Sequence, residues 1–217
     1  MGLKQFTTIL FLGALSQAST ADALHGRFTD IPDSVWALMQ GKSWHKELPC
    51  PPRETLAYLT VPFRDFAGKN QLGELIVTKS QAKNVVAIFD KIYDSNEFRI
   101  EKMKLVDVYN GDDDASTADN NTSAFNCRYV AKTKLLSSHA RGTAIDINPV
   151  QNPYVVFKSG KPVKPDPYDE KNERKASVVG LIVEGGVVDK AFAAQKWAWG
   201  GRWKSKKDFQ HFSADGK

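Results

Sequence analysis

The clearest pattern of apolar and polar residues lies in the first half of the chain, over residues 73–96. Gly73–Thr78 is rich in Leu, Ile and Val, which is typical of a β-strand. After Ser80, a residue type that favours helix N-caps, apolar residues recur at intervals of three and four positions. This spacing predicts an amphipathic helix that begins at Ser80 and ends near Asn96. Its apolar positions are Ala82, Val85, Val86, Phe89, Ile92 and Tyr93.

Shorter patterns predict four more elements. Arg53–Leu59 follows a proline-rich turn and is predicted to form a short helix, and Met103–Tyr109 is predicted to form a strand. Val188–Trp197 is predicted to form a third helix. In Thr143–Asn148, two isoleucines alternate with alanine, aspartate and asparagine. That alternation indicates a half-buried strand whose polar face looks into a site.

Two stretches between these elements have the composition of loops. Gly111–Ser123 is polar and contains three consecutive aspartates, at positions 112–114. It lacks the spaced oxygen ligands and the interior glycine of an EF-hand loop, so a solvated acidic loop is favoured over a calcium site. Pro149–Pro167 is rich in proline and shows little periodicity, which predicts a surface loop beside the cleft.

The N-terminal residues 1–23 have the features of an export signal. Lys4 supplies a positive charge, Phe6–Leu15 an apolar stretch, and residues 21–23 a small-x-small cleavage pattern. A short N-terminal membrane anchor is the alternative. No other segment is long and apolar enough to cross a bilayer. We therefore expect export to the periplasm, cell wall or extracellular space, with one domain over residues 24–217 and no stable membrane insertion after cleavage.

Charge and cysteine content add two further expectations. The 30 basic and 25 acidic residues of this 217-residue chain give a formal net charge of +5. Such a surface is suited to anionic wall polymers or lipid head groups, although a generally solvated surface explains the same excess. We expect no nucleic-acid partner.

Cys50 and Cys127 are the only cysteines, and one disulfide between them fits an oxidising compartment. The sequence leaves this bond open, because it does not give the distance between their Cα atoms.

Two compact motifs carry the candidate chemistry. His139 and Asp146 lie seven residues apart, and Asp208 and His211 lie three residues apart near the C-terminus. Two histidines and one carboxylate suit Zn²⁺, which leaves a second carboxylate available as a base. No HExxH helix pair is present, so the residue types leave a metal site and structural histidines equally open. In a regular strand Asp208 and His211 would face opposite sides, so a shared site requires a bend or bulge between them.

These motifs also carry a family resemblance. The chain resembles the zinc D-Ala-D-Ala carboxypeptidase and L-alanyl-D-glutamate peptidase family, which acts on bacterial cell-wall peptides and shares a fold with the Hedgehog signalling domain. The resemblance covers about Ser43–Phe212, and residues 120–154 are similar to an exported bacterial branch of the family. It rests on Ser138, His139, Gly142, Ala144, Ile145 and Asp146, followed by Asp208, His211 and Phe212.

The resemblance implies a role for each candidate residue. His139, Asp146 and His211 would ligate Zn²⁺, and Asp208 would act as the general base. Arg128 would act in catalysis by holding a substrate carboxylate or a developing oxyanion, although family members usually carry a different local motif around this arginine. A structural salt bridge to the aspartates at 112–114 explains Arg128 equally well. The implied fold is α+β, with a small antiparallel sheet that carries the zinc site and with helices packed on it.

The sequence thus predicts an exported zinc metallopeptidase that hydrolyses peptide bonds involving D-amino acids in peptidoglycan stem peptides. Its first candidate activity is that of a D-Ala carboxypeptidase. The alternative within the same family is an L-alanyl-D-glutamate endopeptidase, which differs in not requiring a free carboxylate on the substrate. The alternative from another class is a non-catalytic, zinc-containing wall-binding module. The presence of Asp208 argues against that module, because a binding protein needs no base beside its metal.

Overall fold

The described part of the chain combines helices with small, mostly antiparallel sheets, which confirms the α+β class in outline. A computed structural model describes residues 24–130, 132–158, 161–162, 174–175 and 177–216. The predicted export signal over residues 1–23 lies outside the described residues. Within the described part, no helix is both long enough and apolar enough to cross a membrane.

The elements follow one another in chain order, with 3₁₀ turns between some of them. The α-helices are α1 (Asp33–Met39), α2 (Ala82–Ser95), α3 (Asp113–Ala118) and α4 (Val187–Ala194). The strands are β1 (Arg27–Thr29), β2 (Leu56–Arg64), β3 (Asn70–Thr78), β4 (Lys102–Met103), β5 (Asn121–Thr122), β6 (Ala144–Asp146), β7 (Tyr154–Lys158), β8 (Lys161–Pro162), β9 (Ala198–Trp199), β10 (Lys206–Asp208) and β11 (His211–Ser213). The predicted Pro149–Pro167 loop is therefore wrong over β7 and β8, while residues 159–160 and 163–167 lie outside the described part.

The first sheet consists of β1, β2 and β3, paired antiparallel. It confirms the strand predicted at Gly73–Thr78 and extends that strand towards its N-terminus. The helix predicted at Arg53–Leu59 is wrong, since only Arg53–Thr55 forms a 3₁₀ turn before β2 begins. From Ala57 to Val61 buried and less buried residues alternate, and pairing with β3 satisfies the strand backbone.

Helix α2 lies on this sheet with its apolar face buried, as its periodicity predicts. The helix ends before Asn96, whose φ of 57° places it in the left-handed region that stops helices. Its start differs from the prediction. Ser80 lies within a 3₁₀ turn at Lys79–Gln81, and Gln81 precedes the helix without a side-chain cap. Neighbouring backbone geometry therefore overrides the capping preference of Ser80.

The predicted strand at Met103–Tyr109 is reduced to β4, which pairs with β5 in parallel. The side chain of Asn121 accepts a hydrogen bond from the Lys104 amide at 2.8 Å and donates one to the Lys104 carbonyl at 2.9 Å. Because a side chain satisfies the backbone at this point, the strand ends there. Val106–Tyr109 continues as a 3₁₀ turn.

The acidic stretch begins a helix, so the prediction of a solvated loop is wrong there. Oδ1 of Asp112 accepts a hydrogen bond from the amide of Ala115 at 3.0 Å, which caps α3. Asp113 and Asp114 occupy the first turn, where negative charge is favoured by the helix macrodipole.

Two small sheets and α4 form the second half of the described chain. One sheet has the order β6-β11-β9 and the other the order β10-β7-β8, with antiparallel pairing in both. The predicted Val188–Trp197 helix is confirmed as α4, which ends before Trp197. Phe192 of α4 stacks on Phe212 of β11 at 4.0 Å between ring centroids, and Trp199 packs on the same ring. These aromatic contacts fix the sheet that carries the candidate site.

Cys50 and Cys127 form a disulfide, which settles a question that the sequence leaves open. Their Cα atoms lie 5.8 Å apart, and 77 residues of sequence separate them. The bond ties the proline-rich turn that precedes β2 to the segment that continues into Arg128. A cross-link over so long a loop stabilises the fold mainly by restricting the unfolded chain.

Candidate functional site

Two short strands bring a histidine and an aspartate face to face. β6 and β11 are antiparallel neighbours, and their register places His211 directly opposite Asp146. Side chains of directly opposed residues lie on the same face of a sheet, with their Cβ atoms roughly 4.5–5.5 Å apart. The sheet therefore joins the two sequence motifs into one site.

His139 reaches the same site from a 3₁₀ turn at His139–Arg141, just before β6. Gly142 ends this turn with a φ of 68°, in the left-handed region that glycine adopts most readily. A Cβ atom at this position would lie 2.5 Å from the backbone nitrogen of Thr78, which donates a hydrogen bond to the Gly142 carbonyl. Both the backbone angle and the close contact thus require glycine here.

The three side chains converge on one point. Nε2 of His139 lies 3.3 Å from Oδ1 of Asp146 and 3.3 Å from Nδ1 of His211. Nδ1 of His211 lies 2.9 Å from the same carboxylate oxygen. All three residues are buried. Their arrangement forms a His-Asp-His cluster of the kind that holds a metal ion.

A second partner fixes the orientation of two of these side chains. Nδ1 of His139 lies 2.6 Å from the carbonyl oxygen of Ala124, which accepts the Nδ1 proton and leaves the Nε2 lone pair facing the cluster. Nε2 of Gln210 donates to Oδ2 of Asp146 at 3.1 Å, so Oδ1 remains directed at the histidines. Such outer contacts are typical of metal ligands, because they hold the donor atoms in place before an ion binds.

The stretch between Asp208 and His211 bends, as a shared site requires. β10 ends at Asp208 and pairs with β7, whereas β11 begins at His211 and pairs with β6, in a different sheet. The backbone of Phe209 holds the bend, since its amide donates to the Pro153 carbonyl and its carbonyl accepts from Nε1 of Trp199. The two residues therefore do not share one regular strand, and their odd spacing is no obstacle.

Asp208 lies beside the cluster without a hydrogen-bond partner for one of its oxygens. Its Oδ1 is buried and accepts no hydrogen bond within the described part of the chain. Gly200 permits its backbone to come close, because a Cβ atom there would lie 2.6 Å from the Asp208 carbonyl oxygen. A buried, unsatisfied carboxylate oxygen is costly for folding alone and is typical of functional sites.

The two aspartates of the site differ in their tendency to hold a proton. Burial raises the pKa of Asp208 to about 7, and the negative charge of Asp146 adds to this effect. Burial acts in the same direction on Asp146, but the two histidines outweigh it through charge and hydrogen bonds when they are protonated. The pKa of Asp146 consequently lies well below its usual range. One carboxylate thus stays ionised, while the other can exchange a proton near neutral pH.

All five predicted site residues line one cavity of about 870 Å³: His139, Asp146, His211, Asp208 and Arg128. Nη2 of Arg128 donates to Oδ2 of Asp113 at 2.6 Å, so the predicted salt bridge to the acidic stretch is present. Asp113 and Asp114 also line the cavity. Arg128 therefore forms a salt bridge with the acidic stretch and also lines the cavity of the candidate site.

Ser138 and two nearby tryptophans differ in their relation to the site. Ser138 does not cap its turn, and its hydroxyl donates to the carboxylate of Asp215 instead. Trp199 is buried in the core, whereas Trp203 lines the cavity, with its ring centroid 5.5 Å from that of His211. Of the two tryptophans, only Trp203 is therefore available to a ligand.

Sequence reasoning missed several residues of the site. Gln210 lies next to His211 in sequence, so its position inside the motif is a usable signal. Ala124 contributes only its carbonyl oxygen, which no residue type reveals. Lys206 is exposed, as a lysine-rich stretch predicts, and it also lines the cavity. It alternates with Lys207 along β10, and the period of two residues would have assigned Lys206 to the face of Asp208.

The side chains that line the cavity indicate the class of protein. A buried pair of histidines with an ionised aspartate, next to an unsatisfied carboxylate, is the arrangement of a metal-assisted hydrolase. The cavity around them leaves space for a substrate.

Comparison with family models agrees with this class. Residues 131–214 match the model of the D-alanyl-D-alanine carboxypeptidase family. The matched segment contains His139, Asp146, Asp208 and His211, and Arg128 lies just before it. This match over part of the chain confirms the resemblance based on the two motifs. It supports a peptidase, and thus a hydrolase, of a family whose members are typically metal-dependent. No curated protein and no solved structure matches the chain significantly.

Proposed function

We propose that the protein is an exported, zinc-dependent carboxypeptidase that removes the terminal D-Ala from stem peptides of peptidoglycan. The observation that supports this proposal best is the His-Asp-His cluster with the unsatisfied Asp208 carboxylate beside it. The cluster alone would serve a binding protein equally well. A buried carboxylate oxygen without a partner has a purpose mainly where protons are moved.

Zinc fits the donor atoms of His139, Asp146 and His211. Ligands at 2.0–2.1 Å from a tetrahedral Zn²⁺ lie about 3.3 Å from one another. Two of the three separations in the cluster are 3.3 Å and the third is 2.9 Å. Zn²⁺ held by three protein ligands acts as a Lewis acid on a carbonyl oxygen and lowers the pKa of coordinated water to about 7.

Asp208 is proposed to act as general base and then as general acid. As base, its carboxylate takes a proton from the water molecule that adds to the scissile carbonyl carbon. As acid, it gives that proton to the nitrogen of the leaving amino acid as the carbon–nitrogen bond breaks. A pKa raised to about 7 suits both steps, since the group must accept and release a proton near neutral pH.

Arg128 is proposed to stabilise the negative charge that develops on the carbonyl oxygen. A guanidinium group has five N–H donors, and the ion pair with Asp113 uses one of them. That ion pair also fixes the orientation of the side chain at the wall of the cavity. Donors held in place before the reaction stabilise developing charge most effectively.

The remaining parts of the proposal concern the whole chain. Residues 1–23 would act as the export signal, and residues 24–217 would form one metallopeptidase domain with a Hedgehog/DD-peptidase-like fold. The Cys50–Cys127 disulfide supports export, because such bonds persist in oxidising compartments. The proposed partners are peptidoglycan stem peptides, and the basic net charge favours an anionic cell wall.

Mass spectrometry of digested stem peptides tests this function. We expect the metal-loaded protein to shorten a pentapeptide stem ending in D-Ala-D-Ala by one alanine. The same pentapeptide with a terminal L-Ala is the matched control and should remain intact. Cleavage between L-Ala and D-Glu would identify the endopeptidase instead. If neither bond is cut while metal is bound, the protein is not this peptidase, and the wall-binding alternative gains support.

A further inference from the structure

Three lysine or arginine side chains line the cavity, and two of them already have a carboxylate partner. Arg128 pairs with Asp113, and Arg141 pairs with Asp215. The other terminal nitrogen of Arg141 donates to the Leu136 carbonyl at 2.8 Å. Lys206 forms no ion pair within the described part of the chain. Its charge is therefore the one most available to a ligand in this cavity.

Lys206 is held close to the candidate catalytic groups. It lies two residues before Asp208 on β10, and residues two apart in a strand share a face. Its ammonium lies 5.0 Å from the ring centroid of Trp203 and 5.7 Å from that of Tyr154. The Trp203 ring in turn lies 5.5 Å from the His211 ring. Two aromatic rings thus restrain the side chain at the side of the cluster.

Near Arg128 the cavity lining has less positive charge to offer a permanent anion. Asp113 pairs with Arg128, and Asp114 adds a further negative charge to the lining. Nε of Arg128 is buried and cannot meet a ligand without movement. A free carboxylate is therefore attracted more strongly to the unpaired charge of Lys206, while the remaining N–H groups of Arg128 stay available to the carbonyl oxygen.

We infer that Lys206 binds the terminal carboxylate of the substrate, and so restricts the enzyme to peptides with a free C-terminus. The inference rests on the proposed peptidase function and deepens it, because it selects carboxypeptidase over endopeptidase action. An extended peptide advances at most about 3.6 Å per residue. The carboxylate of a single leaving residue therefore stays inside the cavity that Lys206, Asp208 and His211 line together.

Paired substrates test this specificity. Each protein is given the same D-Ala-D-Ala peptide as the free acid and as the C-terminal amide, and kcat/KM is measured for both. We expect the wild type to prefer the acid. Lys206→Met keeps the apolar stem against Tyr154 and Trp203 but removes the charge. It should lower the acid-to-amide ratio about 10- to 100-fold, the effect of one hydrogen bond between charged groups.

The ratio separates this role from an effect of Lys206 on Asp208, because a changed base affects both peptides alike. Lys207→Met, on the other face of β10, should keep the wild-type ratio, and Lys206→Arg should restore most of it. Binding of the two peptides to the metal-free protein should show the same preference without turnover. An unchanged ratio in Lys206→Met, or equal cleavage of both peptides by the wild type, overturns the inference alone. Cleavage of neither peptide overturns the proposed function as well.

Discussion

Replacing Asp208 with asparagine is expected to lower kcat by about 10²- to 10⁴-fold, the range observed for loss of a general acid–base group. The side chain keeps its size but can no longer accept a proton from water. Metal binding should be unchanged, because the contacts of the cluster involve His139, Asp146 and His211 and not Asp208. Turnover of a D-Ala-D-Ala peptide and metal content are measured on the same sample.

A matched control is available in the lining of the same cavity. Asp114 is another carboxylate that lines the cavity, and it belongs to the first turn of α3 and not to the cluster. Asp114→Asn should retain most of the activity. Asp208→Ala should be as inactive as Asp208→Asn, which separates loss of the base from any new contact of the amide. Activity of Asp208→Asn within a few-fold of the wild type would remove Asp208 from the mechanism.

Replacing His139 or His211 with alanine is expected to abolish metal retention and, with it, turnover. Mutation of an outer contact typically weakens metal binding 10- to 100-fold, and loss of a ligand should cost more than that. The effect should be large because the cluster comprises three side chains among the described residues, and Oδ1 of Asp146 faces both histidines. Metal content after dialysis is determined by elemental mass spectrometry.

His25→Ala is the control for these two variants, since His25 is exposed and lies outside the cluster. It should bind metal as the wild type does. The variants should also retain their circular dichroism, because the disulfide and the aromatic core around Phe212 do not depend on the metal. A full metal complement in the His139→Ala protein would exclude that residue from the ligand set, and the same holds for His211→Ala.

The sequence predicts best those elements whose residue pattern agrees with their local backbone preference. Helix α2 has an apolar face of the correct period and a left-handed asparagine at its end, so both its identity and its C-terminus follow from the sequence. Two other stretches depend on contacts distant in sequence. Leu56–Leu59 becomes a strand because β3 pairs with it, and Met103–Tyr109 is interrupted because Asn121 satisfies the backbone of Lys104.

The candidate site is predictable for a different reason. His139, Asp146, Asp208 and His211 form two motifs whose residue types fit metal chemistry, and the family match contains all four. What the sequence lacks is the pairing of β6 with β11 and the bend at Phe209, which bring the motifs together. These depend on packing between separate sheets.

The surroundings of the site could be predicted only in part. The Arg128–Asp113 salt bridge was one of two alternatives, and the structure shows it within the same cavity as the cluster. The acidic stretch starts a helix because Asp112 accepts a hydrogen bond from the backbone amide of Ala115. Local propensity alone does not decide between this helix and a loop. Lys206 was not predicted as a residue of the site. It lies among other lysines, so residue type alone does not show which of them share the face of Asp208 along β10.

Titration of the metal-free wild-type protein with Zn²⁺, with D-Ala release followed from a pentapeptide stem, tests the central claim most directly. The claim is that one metal ion at the His139, Asp146 and His211 cluster is required for hydrolysis. We expect no release before metal is added, and a linear rise that saturates at one equivalent per chain. Undiminished release of D-Ala by the metal-free protein would contradict it.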